Sequence, residues 1–183
     1  MASISLHEVA PDDRALLAQA VDGNERAFAL LYRRHARYVA GVAYRVMGSD
    51  AELDDVVQEV FLDASGALAS VREADGLRGW LARITVRRVY KRLARRRRWR
   101  WLQRDQQELA VTVSDPALKT RVTDLYRTLE RLAPNIRIPW VLHAIEGETL
   151  PDVARMCDIS LATAKRRIAK AAAHVEWTLD EKR

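Results

Sequence analysis

The residues whose chemistry says most about function are charged, and they lie in two neighbouring blocks of opposite sign. Residues 46–71 contain six Asp and Glu residues and no Lys or Arg. Residues 76–104 contain twelve Lys and Arg residues and no Asp or Glu. Because like charges this dense repel one another, the basic block favours a polyanionic partner. Phosphate groups would supply that neutralisation, with counterion release adding affinity.

The basic block also has an apolar component that a solvated face or a disordered tail would not need. Large apolar residues recur among its cations at helical spacing, which predicts a packed helix from Gly76 to about Trp101. One face is expected to pack while the other meets a phosphate backbone. The apolar face consists of Val86, Val89, Tyr90 and Leu93, and the opposite face of Arg88, Lys91, Arg92 and Arg95.

Two features of this helix leave alternatives open. Its first half carries a second apolar set, Leu77, Trp80, Leu81 and Ile84. That set lies about half a turn away from the other one, so the helix either packs on two sides or is interrupted near Thr85. Trp99 and Trp101 stand among arginines, where their rings either stack on unpaired bases or cap a small core.

The acidic block predicts a helix with two contrasting faces. Ser49-Asp50-Ala51-Glu52 reads as a capping box that starts the helix. Its buried face is Leu53, Val56, Val57, Val60 and Phe61, and its opposite stripe is Asp55, Gln58, Glu59 and Leu62. An acidic stripe with an embedded leucine suits a protein partner with a basic surface. On periodicity alone, a plain solvated face is the favoured interpretation.

A helix-turn-helix is predicted near the C-terminus. Thr149 caps its first helix, Asp158-Ile159 forms the turn and Ser160 caps the second helix. The expected inner residues are Val153, Ala154, Cys157, Leu161, Ala164, Ile168, Ala171 and Val175, and the outer face is Thr163, Arg166, Arg167 and Lys170. Such a helix packs from behind and offers donors to phosphates and base edges. The alternative is an ordinary helical hairpin with a basic exterior, and Cys157 is interpreted as a core residue.

Helical periodicity throughout predicts an all-α protein with two small helical domains joined by a flexible linker. The first domain is expected over 10–102, the linker over 103–115 and the helix-turn-helix domain over 116–179. Gly48 is expected to end one N-terminal helix, and Pro116 to begin the first C-terminal helix.

Composition excludes several classes of function. With 183 residues, a net charge of +6 and 49% hydrophobic residues, the chain can bury a core and is basic. Its one cysteine allows no internal disulfide and fits a reducing cytoplasm. We find no apolar run of membrane-spanning length, no signal peptide, no catalytic motif, and no spacing that implies a metal or another cofactor. A magnesium nuclease built on Asp54, Asp55 and Glu59 is a remote alternative, because no second carboxylate cluster supports it.

Several segments together resemble the extracytoplasmic-function (ECF) group of bacterial RNA polymerase sigma factors. Residues 53–62, LDDVVQEVFL, resemble the region-two helix that grips the clamp of the largest polymerase subunit, and residues 27–35 resemble the helix before it. Residues 77–84, LRGWLARI, with the arginine run after them, resemble the segment that melts the promoter and reads its minus-ten element. Residues 132–165 carry the matching features of region four.

The resemblance assigns roles to particular residues and implies that the protein is not an enzyme. It makes the acidic stripe the contact with core RNA polymerase and the 71–77 loop the pocket for a flipped base. The implied minus-ten contacts are Arg72, Arg78, Arg88, Lys91, Arg92 and Arg95, and the implied minus-thirty-five readers are Thr163, Arg166, Arg167 and Lys170. The implied partners are core polymerase, promoter DNA and an anti-sigma factor. The main alternative is a stand-alone DNA-binding regulator that does not need the acidic stripe.

Three positions depart from the family pattern. Arg87 and Lys91 stand where the family often has Asn and Asp, which bears on promoter preference. Asp158 replaces the common turn glycine, so the turn must accommodate a side chain. Pro139 sits where the family usually has an unbroken helix, and a helix that starts near Ile138 would tolerate it.

Overall fold

The computed structural model describes residues 12–71, 76–102 and 116–180, and every regular element among them is helical. The predicted all-α class is confirmed. The α-helices are α1 (Asp13–Val21), α2 (Glu25–Met47), α3 (Leu53–Ser65), α4 (Gly76–Leu102), α5 (Pro116–Arg131), α6 (Pro134–Ala144), α7 (Leu150–Cys157) and α8 (Leu161–Asp180), with a 3₁₀ turn at Leu68–Ser70.

The N-terminal helices begin and end where local chemistry satisfies their free backbone groups. The Asp12 carboxylate accepts a hydrogen bond from the backbone of Ala15 at 2.7 Å and starts α1. The Asn24 side chain accepts two backbone hydrogen bonds at the start of α2. As predicted, α2 ends at Gly48, which adopts the left-handed conformation with φ 70°.

The predicted capping box before α3 is wrong. Ser49 accepts a hydrogen bond from the backbone of Ala51 at 3.3 Å, two residues away rather than three. Glu52 is itself the N-cap residue, and its side chain makes no capping hydrogen bond. Its carboxylate instead reaches across to Arg92 and Arg96 of α4.

The long basic helix α4 is continuous from Gly76 to Leu102, so it is not interrupted near Thr85 and instead packs on two sides. It packs against α2 and α3 and also against α6 and α7, so both apolar sets are used. Thr85 is fully buried at the change of face, and its hydroxyl donates to the carbonyl of Leu81 at 2.8 Å. Tyr90 is exposed and therefore does not belong to the packed face on which we expected it.

Parts of three expectations lie outside the described residues. These are Arg72 with the 72–75 part of the predicted base-pocket loop, the linker at 103–115, and the side chains of Trp99 and Trp101.

The C-terminal helices differ from the sequence expectation at one proline. Helix α6 begins at Pro134 and not near Ile138, so Pro139 lies inside it, where it is buried. Asp158 ends α7 in the left-handed conformation with φ 54°, the backbone shape for which a turn glycine is usually chosen. Its backbone N–H still satisfies carbonyls of α7, so the turn forms without glycine.

The two groups of helices share one continuous hydrophobic core. Arg45 of α2 forms a two-pronged ion pair with Glu146, whose side chain is only 9% exposed, and the Nη2–Oε2 distance is 2.7 Å. The hydroxyl of Tyr126 in α5 donates to the carbonyl of Arg45 at 2.8 Å. The ring of Tyr126 lies against Gly48, where a Cβ would overlap it. These contacts close the N-terminal helices against the C-terminal ones.

Gly48→Ala should destabilise the protein more than Gly23→Ala. Both glycines have positive φ, so each substitution carries a backbone cost of about 1–2 kcal/mol. A Cβ at Gly23 meets nothing, whereas a Cβ at Gly48 overlaps Tyr126 and adds about 1–3 kcal/mol of overpacking. Urea unfolding followed by circular dichroism measures both losses, and equal losses would contradict the close packing of Tyr126 on Gly48.

Candidate nucleic-acid and protein interfaces

The outer stripe of α3 is presented to solvent by a helix whose other face is fully packed. Asp55 is 70% exposed and Leu62 is 68% exposed, and Gln58 between them is also exposed. The buried face of α3 consists of Val56, Val57, Val60, Phe61 and Ala64. The structure therefore brings three of the four predicted stripe residues to one open surface.

Glu59, the fourth residue of the stripe, is held by cations of α4. Its Oε1 accepts a hydrogen bond from Arg92 at 2.6 Å, and its Oε2 lies 3.5 Å from Nη1 of Arg88. Its side chain is 38% exposed, less open than Asp55 or Leu62. Glu59 is thus turned partly inward, towards α4.

Carboxylates of α3 pair with arginines of α4 along the length of the contact. Arg88 forms a two-pronged ion pair with Asp63, and Arg92 pairs with Glu52 as well as with Glu59. Arg96 donates to Glu52 at 2.7 and 2.9 Å. Such guanidinium–carboxylate pairs are directional and strong because both partners are charged.

The premise that only an external anion neutralises the basic block is wrong for these arginines. The side chain of Arg92 is 10% exposed and that of Arg88 is 29% exposed, and both point at α3. Separate inspection of the two blocks could not show that the acidic helix packs against the basic one. The assignment of Arg88 and Arg92 to DNA stays a prediction, and this pairing counts against it.

The pairing also shifts the protonation of the acids. Burial raises the pKa of Glu52, but hydrogen bonds from Arg96 and Arg92 outweigh it, so its pKa lies below the usual value. The hydrogen bond from Arg88 lowers the pKa of Asp63 against a smaller effect of burial. Both carboxylates are therefore held in the charged form at neutral pH.

The remaining predicted minus-ten cations are more accessible. Lys91 and Arg95 are exposed on α4 and line a groove together with Arg97 and Arg98. Arg78 is exposed near the start of α4, where its guanidinium lies 4.0 Å from the ring centre of Tyr38. Sequence reasoning missed Tyr38, because nothing in its surroundings along the chain indicates a cation above its ring.

The predicted recognition helix is α8, and its outer residues do not share one environment. Arg166 and Lys170 are exposed. The hydroxyl of Thr163 accepts a hydrogen bond from Ser160 at 2.9 Å, and its backbone N–H donates to Ser160, so Thr163 takes part in the helix cap. This confirms Ser160 as the cap of α8.

Arg167 faces away from the free side of α8. It is half-buried and lines a cleft of about 330 Å³ between the two groups of helices, together with Arg83 and Arg87 of α4. Sequence reasoning missed these two α4 residues as neighbours of α8, because only packing of α7 and α6 on α4 brings them there.

Two residues that the sequence placed on the inner face of the helix-turn-helix are not fully buried. Leu161 is exposed and not packed inward as predicted, because it opens the first turn of α8 beyond the edge of the core. Cys157 is half-buried, and burial raises the pKa of its thiol to about 12. A thiol this weakly acidic is a poor nucleophile, which agrees with its interpretation as a packing residue.

Over the described residues 12–71, 76–102 and 116–180, no group of His, Cys, Asp and Glu is arranged to hold a metal ion. In that same part of the chain, no helix combines the length and the apolar character needed to cross a bilayer.

The pair between Asp63 and Arg88 should make unfolding depend on pH in the acid range. Because the folded-state pKa of Asp63 lies below its usual 3.8, the pair stabilises the fold above that value and loses its contribution as the pH falls through the folded pKa. We expect Asp63→Asn to lower the free energy of unfolding at pH 7 by up to about 1 kcal/mol, as for other partly exposed pairs. Urea unfolding at a series of pH values should show this difference shrinking with acidification, with Arg88→Gln behaving alike. A difference that stays constant would contradict the pairing.

Two family models match the chain in the order that the sequence suggested. Residues 31–99 match Sigma-70 region 2, and residues 123–175 match Sigma-70, region 4. The first match covers α3 and almost all of α4, and the second covers the helix-turn-helix of α7 and α8.

Relatives and solved structures cover most of the chain. The RNA polymerase sigma factor CnrH of Cupriavidus metallidurans is 32% identical over 92% of this chain and 94% of its own length. The ECF RNA polymerase sigma-E factor of Escherichia coli is 30% identical over 87% of this chain and 90% of its own length. The structure of CnrH in complex with the cytosolic domain of CnrY superposes with a TM-score of 0.65, covering 93% of this chain and 99% of that one.

A more distant structure shares the fold. RpoE of Bartonella quintana, solved with the anti-sigma factor NepR, is 19% identical, with a TM-score of 0.64 over 85% of this chain and 98% of that one. Both matched regions, their order and the relatives of nearly equal length lead to one conclusion: the chain belongs to the extracytoplasmic-function group of the sigma-70 family of RNA polymerase sigma factors.

Proposed function

We propose that this sigma factor directs transcription initiation through two separate surfaces, an open stripe on α3 for core polymerase and exposed cations on α4 and α8 for promoter DNA. The observation that carries the proposal is the contrast on α3. Leu62 is 68% exposed beside acidic and amide side chains, on a helix whose other face is fully packed. This exposed leucine at the end of a polar stripe offers a protein partner an apolar surface whose burial on binding is favourable.

The polymerase surface that we propose is narrower than the one read from sequence. Asp55, Gln58 and Leu62 are open to a partner, whereas Glu59 is engaged by α4. We therefore assign direct contact to the three open residues.

The promoter surface that we propose also contains fewer residues than the one predicted from sequence. Lys91 and Arg95 are exposed and free to approach phosphates, and Arg78 is exposed at the other end of α4. Arg166 and Lys170 are the open donors of α8. Arg167 is half-buried in the cleft between the helix groups, so we do not count it among the open donors of α8.

The proposal extends to partners, location and division of the chain. CnrH has been solved with the cytosolic domain of CnrY, which supports a bound protein partner for this chain too, and we infer that this partner is an anti-sigma factor. We place the protein in the cytoplasm, where RNA polymerase works, and assign it no enzymatic activity of its own. We place the domain boundary at the 103–115 linker, between the two matched regions.

Purified core polymerase plus this protein, with run-off products mapped across the genome, tests the proposed function directly. Initiation at a defined set of promoters is the expected result. DNA binding without core-dependent initiation would favour the stand-alone helix-turn-helix regulator and contradict the proposal.

Gln58→Ala combined with Leu62→Ala should weaken binding to core polymerase while leaving the fold intact. Both side chains are exposed, and surface changes of this kind cost the fold about 0.5 kcal/mol or less. Fluorescence anisotropy with labelled protein measures binding, and thermal melting checks the fold. Val21→Ala removes an exposed apolar side chain from α1 and is the control. Equal binding by the double variant and the control would refute the α3 interface.

Arg166→Ala should relax promoter choice without affecting binding to core. An arginine at this position reaches guanine edges in the major groove, where a two-pronged contact discriminates by about 1–3 kcal/mol. Transcription from a promoter library randomised in the upstream element measures the change in base preference. Arg131→Ala removes an exposed arginine from α5 and should keep the wild-type preference. If Arg166→Ala keeps it as well, Arg166 is not a reader of bases.

A further inference from the structure

Arg92 occupies an unusual place for a residue of a basic helix. Its side chain is 10% exposed, and it lies beneath α3 with Nη1 paired to Glu52 and Nη2 donating to Glu59 at 2.6 Å. Its Nη1 also lies 3.9 Å from Asp55, which is 70% exposed. One guanidinium therefore contacts Glu52 at the N-cap and two acids of α3, Asp55 and Glu59, and Asp55 belongs to the open stripe.

The spacing of Glu52 and Glu59 explains how their contact with Arg92 restrains rotation of α3. Glu52 is the N-cap residue just before α3, and Glu59 lies about two turns into the helix, so the guanidinium holds α3 at its start and near its middle. A guanidinium has donors in a fixed planar fork, so holding both carboxylates restricts rotation of α3 about its own axis. Arg96 on Glu52 and Arg88 on Glu59 support the same two points from either side.

We propose that Arg92 is a positioning residue for the polymerase-binding surface: by clamping Glu52 and Glu59 it fixes the rotation of α3 that turns Asp55, Gln58 and Leu62 outward. This inference rests on the proposed function of that stripe. It replaces the expectation that Arg92 touches DNA, which its burial against α3 does not favour.

The sign of one measurement separates positioning from simple charge screening. Arg92 partly neutralises Asp55 and Glu59, so its removal makes the stripe more negative. If screening were its only effect on the interface, Arg92→Gln would strengthen attraction to a basic partner surface. If Arg92 positions α3, the same variant weakens binding even though the stripe has become more acidic.

The experiment measures the affinity of the full-length chain for core polymerase by fluorescence anisotropy, at a temperature where circular dichroism shows each variant to be folded. We expect Arg92→Gln to bind about tenfold more weakly, the size of effect found for residues coupled through one ionic network. Arg131→Gln removes the same charge from an exposed position on α5 that has no proposed contact, and it should bind core within about twofold of wild type. Binding by Arg92→Gln as tight as that of Arg131→Gln, or tighter, overturns the proposal.

Two further measurements separate positioning from a loss of stability alone. A double-mutant cycle on core affinity should show coupling between Arg92→Gln and Glu59→Gln, because both break the same clamp. Arg92→Lys keeps the buried charge and serves if Arg92→Gln does not fold. Because the charge is retained, this variant should melt close to wild type. Because a lysine holds one carboxylate rather than two, the variant should bind core more weakly. Additive effects in the cycle, or wild-type affinity in folded Arg92→Lys, overturn the proposal.

The same assay keeps this inference distinct from the proposed function. If Gln58→Ala with Leu62→Ala binds like wild type, the α3 interface itself fails and the inference falls with it. If that variant is weakened while Arg92→Gln is not, the interface stands and only the positioning role of Arg92 is overturned.

Discussion

Guanidinium–carboxylate pairing between α3 and α4 is the interaction on which the arrangement of the N-terminal half depends. An acidic helix and a basic helix lie side by side, and Arg88, Arg92 and Arg96 join them through Glu52, Glu59 and Asp63. Apolar packing of α3 and α4 holds the helices together, and the ion pairs add directional contacts to it. The planar arginine forks hold these carboxylates in a directional geometry, which is the basis of the positioning role that we propose for Arg92.

This pairing divides the charged residues of α3 and α4 into two groups with different roles. Cations that point towards α3 are neutralised inside the protein and contribute to its structure. Cations that point away, among them Lys91 and Arg95, remain available to phosphates. On α3 the same division leaves Asp55 and Leu62 open and turns Glu59 inward. One contact between two helices thereby determines which residues are open on both of the surfaces that we propose, the one for polymerase and the one for DNA.

Contacts between the two halves add a second constraint. The pair between Arg45 and Glu146 and the ring of Tyr126 on Gly48 close α2 against the C-terminal helices. In this closed arrangement Arg167 shares a cleft with Arg83 and Arg87, so three cations face a common space. The carboxylate of Asp158 lines the same cleft, and the ion pair and the shared core hold the two halves together. Arg167 is therefore half-buried between the halves, while Arg166, the neighbouring residue on α8, is exposed.

Sequence by itself determined the helical class, the glycine end of α2, the Ser160 cap of α8, the buried face of α3 and the family, because these follow from local chemistry, helical period and motif. It also identified the acidic stripe and the basic helix as the surfaces of interest. Only the tertiary structure decided which charges are free. Arg88 meets Asp63 across 25 residues, and Arg96 meets Glu52 across 44. A helical period shows which residues share a face but not which face of another helix lies opposite, so pairing over such separations depends on packing of the whole fold.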